Sequence, residues 1–369
     1  MFQHMGEYVK TSDKYGGEFY TFTPAPLCKN FSMDVDGELL ALLTTAHKLL
    51  GVLEGMAMCL PDADSVQELM RLKECFCSLS IDGKANQSFR DILKIIPSEN
   101  ERFGLIANLI AASKYSDGNG VMEPVMSKIY SIIQHGAATG HKAGIRKKAI
   151  TLDNVITNLK TYSPTAPELI MPALYDMTRF VNMENHTDTL IKAAMAHYQF
   201  EMIHPYENYN GIIGRILIQM ILSNAGYVAA QYVCLSECLY IYKEAYFDKL
   251  SSAQSGSGYL PWVKFFAQSI CYASERAISA VRQYIEVISE DERRIAALSQ
   301  SSKFAVPVYN YFKKYLVSEI IPISTQLGIS YNTAAKVVKA LAEASILTLE
   351  QEQSRHKVYC HGALAIFEL

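Results

Sequence analysis

The sequence predicts a mostly α-helical protein, and three observations carry that prediction. From Val35 onward, Leu39, Leu40, Leu42, Leu43, Ala46, Leu49, Leu50 and Leu53 follow the spacing of a helix face. Residues 187–202 and 211–224 read as two core helices joined by a short polar loop, the second apolar nearly all round. Residues 259–289 read as one long helix.

The remaining elements follow in order. Residues 1–33 carry Gly, Pro and Ser and read as an irregular lead. Pro61 ends the first helix, a second runs from about Ser65 to Cys77, and Asp82-Gly83 marks a turn. Helical segments follow at about 88–96, 100–115 and 122–135. Residues 136–152 are Gly-rich and read as a loop or a short β-hairpin. Further helices are expected from about Glu168 to Asn182 and over 239–253, with a linker at 252–258. Thr187 is positioned to cap the helix 187–202. The polar run 290–303 reads as a domain boundary. These readings divide the chain into an N-terminal helical domain (1–100), a core domain (101–290) and a C-terminal domain (304–369).

The chain has 369 residues, half of them hydrophobic, enough for two or three domains with a sizeable core. Lys plus Arg number 34 against 37 Asp plus Glu, and this balance argues against global attraction to nucleic acid or an anionic membrane. The N-terminal segment lacks an apolar signal core. The apolar run from Ile212 to Leu222 is interrupted by Gly214, Arg215 and Gln219 and is too short to span a bilayer. A cytoplasmic protein with no membrane partner is expected. The eight cysteines lack paired zinc-ligand spacing and read as buried free thiols of a reducing compartment.

The stretch His204-Pro205-Tyr206-Glu207-Asn208-Tyr209-Asn210-Gly211-Ile212-Ile213-Gly214-Arg215 carries the chemistry. It sets a histidine, an Asn-Gly turn and an arginine at the mouth of the apolar helix. A buried guanidinium needs an anion, so Arg215 pairs either with a carboxylate of this chain or with a ligand phosphate. The free N–H groups of the helix start, with Gly211 allowing close approach, form an anion site beside it.

These residues resemble the Fic (filamentation induced by cAMP) family, whose loop reads His-Pro-Phe-x-Asp/Glu-Gly-Asn-Gly-Arg-x-x-Arg between two such helices. The matching positions are His204, Pro205, the aromatic Tyr206, Asn210, Gly211 and Arg215. The resemblance extends to Gly51-Val52-Leu53-Glu54-Gly55, to Gly144-Ile145-Arg146 and Ala149-Ile150, and to Trp262-Val263-Lys264-Phe265-Phe266. It implies a Fic-type helical core and transfer of AMP from Mg2+-ATP to a Ser, Thr or Tyr hydroxyl of a protein. By that resemblance His204 takes the proton of the attacking hydroxyl, while Asn210, Gly211, Gly214 and Arg215 hold phosphates. Position 208 holds magnesium, and Tyr246 lies where the family stacks adenine, although a tyrosine stripe at helical spacing also reads as core. Arg146, Lys147 and Ile150 fall on a flap whose strand edge pairs with the target backbone.

The loop departs from the family at three positions. Asn208 replaces an acidic metal ligand, Tyr209 replaces the first glycine and disfavours positive φ, and Ile212 replaces the first arginine. Losing one charged hydrogen bond at 212 removes on the order of 1.5–3 kcal/mol. These departures open a second reading, a degenerate Fic protein that binds a nucleotide or phosphate without turnover.

Lys73 to Gly83 resembles the family's inhibitory helix, with Asp82 in place of its glutamate. The resemblance implies that Asp82 pairs with Arg215 in the resting state and that Ser78 shares its helical face. Without that frame Asp82-Gly83 is only a helix-ending turn. Bacterial members share this domain arrangement, and homodimer formation is a further expectation.

Residues 304–369 read as a winged helix, with helices at 306–315, 323–327 and 331–344, strands at 346–350 and 357–360, and a wing at 351–356. Ser330 or Asn332 can cap the third helix. DNA contact would run through Asn332, Lys336, Lys339, Arg355 and Lys357, opposed by Glu343, Glu350 and Glu352. A packing or dimerisation module is the competing reading.

Overall fold

The computed structural model describes all residues except 1–4, 13–17, 96–103, 137–143, 153–162, 254–257, 300–301, 354–355 and 369. The fold is mostly α-helical, with two small antiparallel sheets among the described residues. The N-terminal segment corrects the expected irregular lead. It forms a hairpin of β1 (Gly6–Ser12) and β2 (Glu18–Pro24), with Tyr8 opposite Phe22 and Val9 opposite Thr21. Aromatic and β-branched residues fill both strands, and that pairing overrides the loop character of their Gly and Ser neighbours. A short helix α1 (Leu27–Asn30) follows, its amides held by Asp176.

Two helices lead into the core. Asp36 caps α2 (Gly37–Ala57) by accepting from the Leu39 amide. Among the described residues α2 is the helix long and apolar enough to cross a membrane; here Leu39, Leu43, Ala46, Leu50 and Leu53 are buried and the helix packs on α12 (Leu260–Ser299). Helix α3 (Ala63–Ile81) is buried on most sides of its second half, Lys73 and Glu74 included. Helices α4 (Phe89–Ile95), α5 (Gly104–Ser116), α6 (Glu123–His135) and α7 (Pro167–Asn182) come next.

At the centre lie α8 (Thr189–Ile203) and α9 (Asn210–Asn224), packed side by side. Asp188, not Thr187, caps α8, accepting from the Leu190 amide at 2.8 Å. The helix expected over 239–253 is two, α10 (Leu235–Ile241) and α11 (Lys243–Ser252), broken at Tyr242. Helix α12 then runs 40 residues, about 60 Å at 1.5 Å per residue. It therefore passes through most of the polar stretch 290–303. The pairs Glu290–Arg293 (2.7 Å) and Glu290–Arg294 (3.2 Å) support the helix there on its solvated side, while Asp291 is buried, 3.0 Å from His361 Nε2, so the charge run is helical rather than a linker.

The C-terminal elements are α13 (Ala305–Tyr315), β3 (Val317–Glu319), α14 (Ile320–Leu327), α15 (Tyr331–Glu343), β4 (Leu347–Gln353), β5 (His356–His361) and α16 (Leu364–Phe367). Their sheet has the order β3-β5-β4, and Ser330 caps α15 at the Thr333 amide. All eight cysteines are free.

Candidate active site

Helix α8 ends at His204, which takes the left-handed conformation (φ 49°, ψ 62°) and donates its amide to the Phe200 carbonyl. A left-handed residue is a common way to stop a helix, but glycine or asparagine normally supplies it. For histidine it costs about 1–2 kcal/mol, so neighbours must hold it. The loop is pinned at two further points. Tyr206 is fully buried and stacks on Tyr130 with centroids 4.3 Å apart. The Asn210 side chain spans the Tyr206 residue, accepting from its amide at 2.9 Å and donating to its carbonyl at 2.8 Å.

Both ends of the Asn210 amide thus serve the loop backbone and shape the turn. Tyr209 precedes α9 at φ 65°, accepting the same left-handed cost that a glycine would avoid. Its ring lies 5.6 Å from Lys84 Nζ, within cation–π range. Ile212 is fully buried on the core side, and Asn208 is exposed on the loop.

Arg215 is 3 % exposed and fully engaged by the end of α3. Its Nε donates to Ser78 Oγ at 2.8 Å, and Nη2 donates to the Ser78 carbonyl and to Asp82 Oδ1, both at 2.9 Å. Burial works against its charge, but the Asp82 carboxylate beside it more than offsets this and keeps the guanidinium protonated. A Cβ built on Gly211 would come within 3.3 Å of Asp82 Oδ1. The carboxylate therefore lies against the first turn of α9, where an incoming phosphate would bind. The expected ligand anion position is filled from within the chain.

Behind Arg215 is a polar layer that the sequence reading did not single out. Glu201 and His197, one helical turn apart on α8, crowd against Gly214. Burial raises the Glu201 carboxyl to about 8, partly opposed by Arg215, so it is protonated at neutral pH. Burial also lowers His197 to about 3, and its Nε2 lies 2.7 Å from the Tyr246 hydroxyl. The readable signal was a Glu and a His at helical spacing inside a helix expected to be core. Gly214 thus lies against this layer, where a side chain would clash, rather than beside a nucleotide. Tyr246 is 1 % exposed and packs against His197 and Trp262. This is the core placement that a tyrosine stripe at helical spacing also allowed.

The flap residues separate. Arg146 is 2 % exposed and turns inward. Its Nε donates to the His204 carbonyl at 2.7 Å and its Nη2 to the Ile203 carbonyl at 3.2 Å. Lys147 is exposed and Ile150 half-buried on an extended segment that reaches a single bridge at Leu152; residues 137–143 lie outside the described part. His204 is half-buried, and burial first, Arg146 second, lower its imidazole to about 4.

Residues 124–222, from α6 to α9, match the model of the Fic/DOC family. Over those residues the chain is similar to that family.

The curated relatives that the chain matches are named protein adenylyltransferases. The fic-1 protein of Caenorhabditis briggsae is 34% identical over 68 residues, 18% of this chain and 13% of that protein. The Fic protein of Aedes aegypti is 32% identical over 123 residues, 33% of this chain and 22% of its own. A probable adenylyltransferase of Aquifex aeolicus (strain VF5) is 30% identical over 105 residues, 28% and 30% of the two chains. The chain thus spans less than a third of the length of each of these relatives. Among solved structures, a Fic family protein from Desulfovibrio desulfuricans G20 superposes with a TM-score of 0.59 at 15% identity, over 89% of this chain and 98% of that one. Fic-1 from C. elegans gives 0.51 at 19% identity, over 66% and 73%. These structural likenesses are likenesses of fold.

In the C-terminal region Asn332, Lys336 and Lys357 are exposed. Lys339 is exposed beside Glu343, 3.7 Å away, and Arg355 lies outside the described residues.

Proposed function

We propose that this chain is a Fic-type protein adenylyltransferase that transfers AMP from ATP to a Ser, Thr or Tyr hydroxyl of a protein and is held inactive by α3. The observation that carries the reading is the Asp82 carboxylate on Arg215 at the mouth of α9, in a domain that matches the Fic/DOC family. The names of the curated relatives support the reaction class.

In this reading Asp82 acts as an internal anion that denies Arg215 to the nucleotide. Withdrawal of the α3 end frees the guanidinium for a bidentate phosphate contact and opens the first-turn N–H groups of α9 to phosphate oxygens. His204 accepts the proton of the target hydroxyl through its neutral imidazole. Its low proton affinity in the closed form makes it a weak base there, and exposure on opening returns it toward 6.5.

Magnesium fits this loop poorly. Asn208 offers one neutral amide oxygen where charge attraction would favour a carboxylate, so the nucleotide's own phosphates would have to supply the metal's anionic ligands. No step here runs through the metal.

The departures at Asn208 and Ile212 favour one second reading, a Fic protein that binds a nucleotide or phosphate as a regulator without turnover. Transfer of α-phosphate label from Mg2+-ATP to protein separates the two. Label is expected to rise in Asp82→Gly by at least tenfold, the order of one charged hydrogen bond, and to vanish when His204→Ala is added. Nucleotide binding by Asp82→Gly with no label in any form would sink the transferase and leave the regulator.

A further inference from the structure

We propose that Arg146 is the positioning residue for His204: it holds the strained end of α8 by its carbonyl oxygens. The inference rests on the transferase reading only for its catalytic consequence.

The last carbonyls of a helix have no intrahelical donor, and a cation near them also meets the negative end of the helix dipole. Arg146 supplies both. Its Nε and Nη2 donate to the carbonyls of His204 and Ile203, and its own backbone amide donates to Pro205 at 2.9 Å. Three consecutive carbonyls, 203 to 205, are thereby fixed from one residue. The other guanidinium bonds anchor that grip, from Nη1 to the Lys148 carbonyl at 3.0 Å and from Nη2 to the Thr165 carbonyl. Thr165 is itself fully buried and donates its amide to Met202 at 3.4 Å and its hydroxyl to Phe22 at 3.2 Å. The end of α8 is thus clamped from two sides.

This is where the strain lies. His204 adopts φ 49°, a left-handed conformation that costs free energy for any residue with a Cβ. Relaxed to a right-handed or extended backbone, residue 204 would redirect its Cα–Cβ bond and swing the imidazole away from the mouth of α9. A planar fork with five donors suits a grip on several carbonyls; a lysine presents one point of charge. The groups facing the imidazole are Arg146 from the flap, Glu201 from α8 and Asp82 from the end of α3.

The test uses the full chain labelled with 13C-histidine, with the His204 signal assigned by its loss in His204→Gln. In Arg146→Gln the His204 titration is expected to move up from about 4 toward 6.5, and the amides of Ile203, His204 and Tyr206 are expected to exchange faster. Arg146→Lys keeps the charge and loses the fork, so the titration stays low while the amides still loosen. These readouts need no transferase activity, so they stand even if the proposed reaction fails. With activity, both variants are expected to lower kcat by roughly 10- to 100-fold, the scale of a misplaced catalytic group, with KM for the target unchanged. An unchanged titration and unchanged 203–206 exchange in both variants would overturn the proposal. So would a raised KM for the target with intact kcat, because that is the signature of a docking residue. If Arg146→Gln does not fold, the exchange and kcat of Arg146→Lys decide alone.

Discussion

At the residue scale the site is an exercise in burying charge. His197 and His204 bind protons far less readily folded (about 3 and 4) than their ordinary 6.5, and Glu201 binds one far more readily (about 8) than its ordinary 4.5. The signs follow from linkage. Below 6.5 the unfolded chain takes up two histidine protons that the fold refuses, so stability is lost as pH falls. Above 4.5 the unfolded chain releases a Glu201 proton that the fold keeps, so this contribution is lost as pH rises to 8. Two groups outweigh one between 4.5 and 6.5, and the thermal midpoint is expected to peak near pH 6.5. Glu201→Gln should flatten the alkaline limb and steepen the acid limb, because the opposing carboxyl is gone between 4.5 and 6.5. A melting curve series from pH 4 to 8 checks both, and an unchanged alkaline limb in Glu201→Gln would count against the buried acid.

At the element scale, α8 and α9 meet so closely at Gly214 that a side chain has no room. A Cβ there would run into Glu201 Oε1 and stand 2.9 Å from His197 Nδ1. Gly214→Ala is therefore expected to destabilise the fold by about 1–3 kcal/mol, the usual range for overpacking, despite alanine's better helix propensity. The urea midpoint should fall accordingly, and Glu201→Ala in the same chain should recover part of it. The same closeness explains why loop and helix behave as one unit: Asn210 clips the loop, Tyr206 plugs it against Tyr130, and Ser78 and Asp82 seal it from outside.

At the scale of the whole molecule, α3 is tied into more than the site. Lys73, buried, pairs with buried Glu237 of α10 at 3.1 Å, and Glu237 also binds Arg276 of α12 at 2.8 Å. Lys73 Nζ reaches the Glu368 carbonyl beyond α16, and Arg90 of α4 binds Glu368 and Glu350 of the C-terminal elements. Lys313 of α13 pairs with Asp62 just before α3 at 3.3 Å. The helix that closes Arg215 is therefore seated on the C-terminal elements. Lys73→Ala leaves Glu237 buried with one partner of two and is expected to cost up to about 3–5 kcal/mol. Arg90→Ala, at a half-exposed position, should cost no more than about 1 kcal/mol. Chemical denaturation of the two variants checks the contrast, and equal losses would mean that burial does not set the value of these pairs.

The sequence alone determined the helical class, because apolar spacing survives any arrangement of neighbours. It also pointed to a candidate site: a histidine before Pro, an Asn-Gly turn and a lone arginine in an apolar helix are local facts. Ser78 and Asp82 came into view only through the resemblance of residues 73–83 to the family's inhibitory helix. Tertiary structure decided everything that depends on what a side chain meets. Arg146, Asn210 and Tyr246 have the residue types of ligand-binding groups, yet each is spent on the protein's own interior, and no local pattern distinguishes the two uses. The N-terminal hairpin was masked by its Gly and Ser neighbours and forms through pairing across strands. Residues 290–299 look like a linker until their side-chain pairs fall on a helix already propagating from α12. Burial did the rest: it turned Glu201 into an acid that keeps its proton and His204 into a weak base. Burial is a property of the packed chain and is not written at any single position.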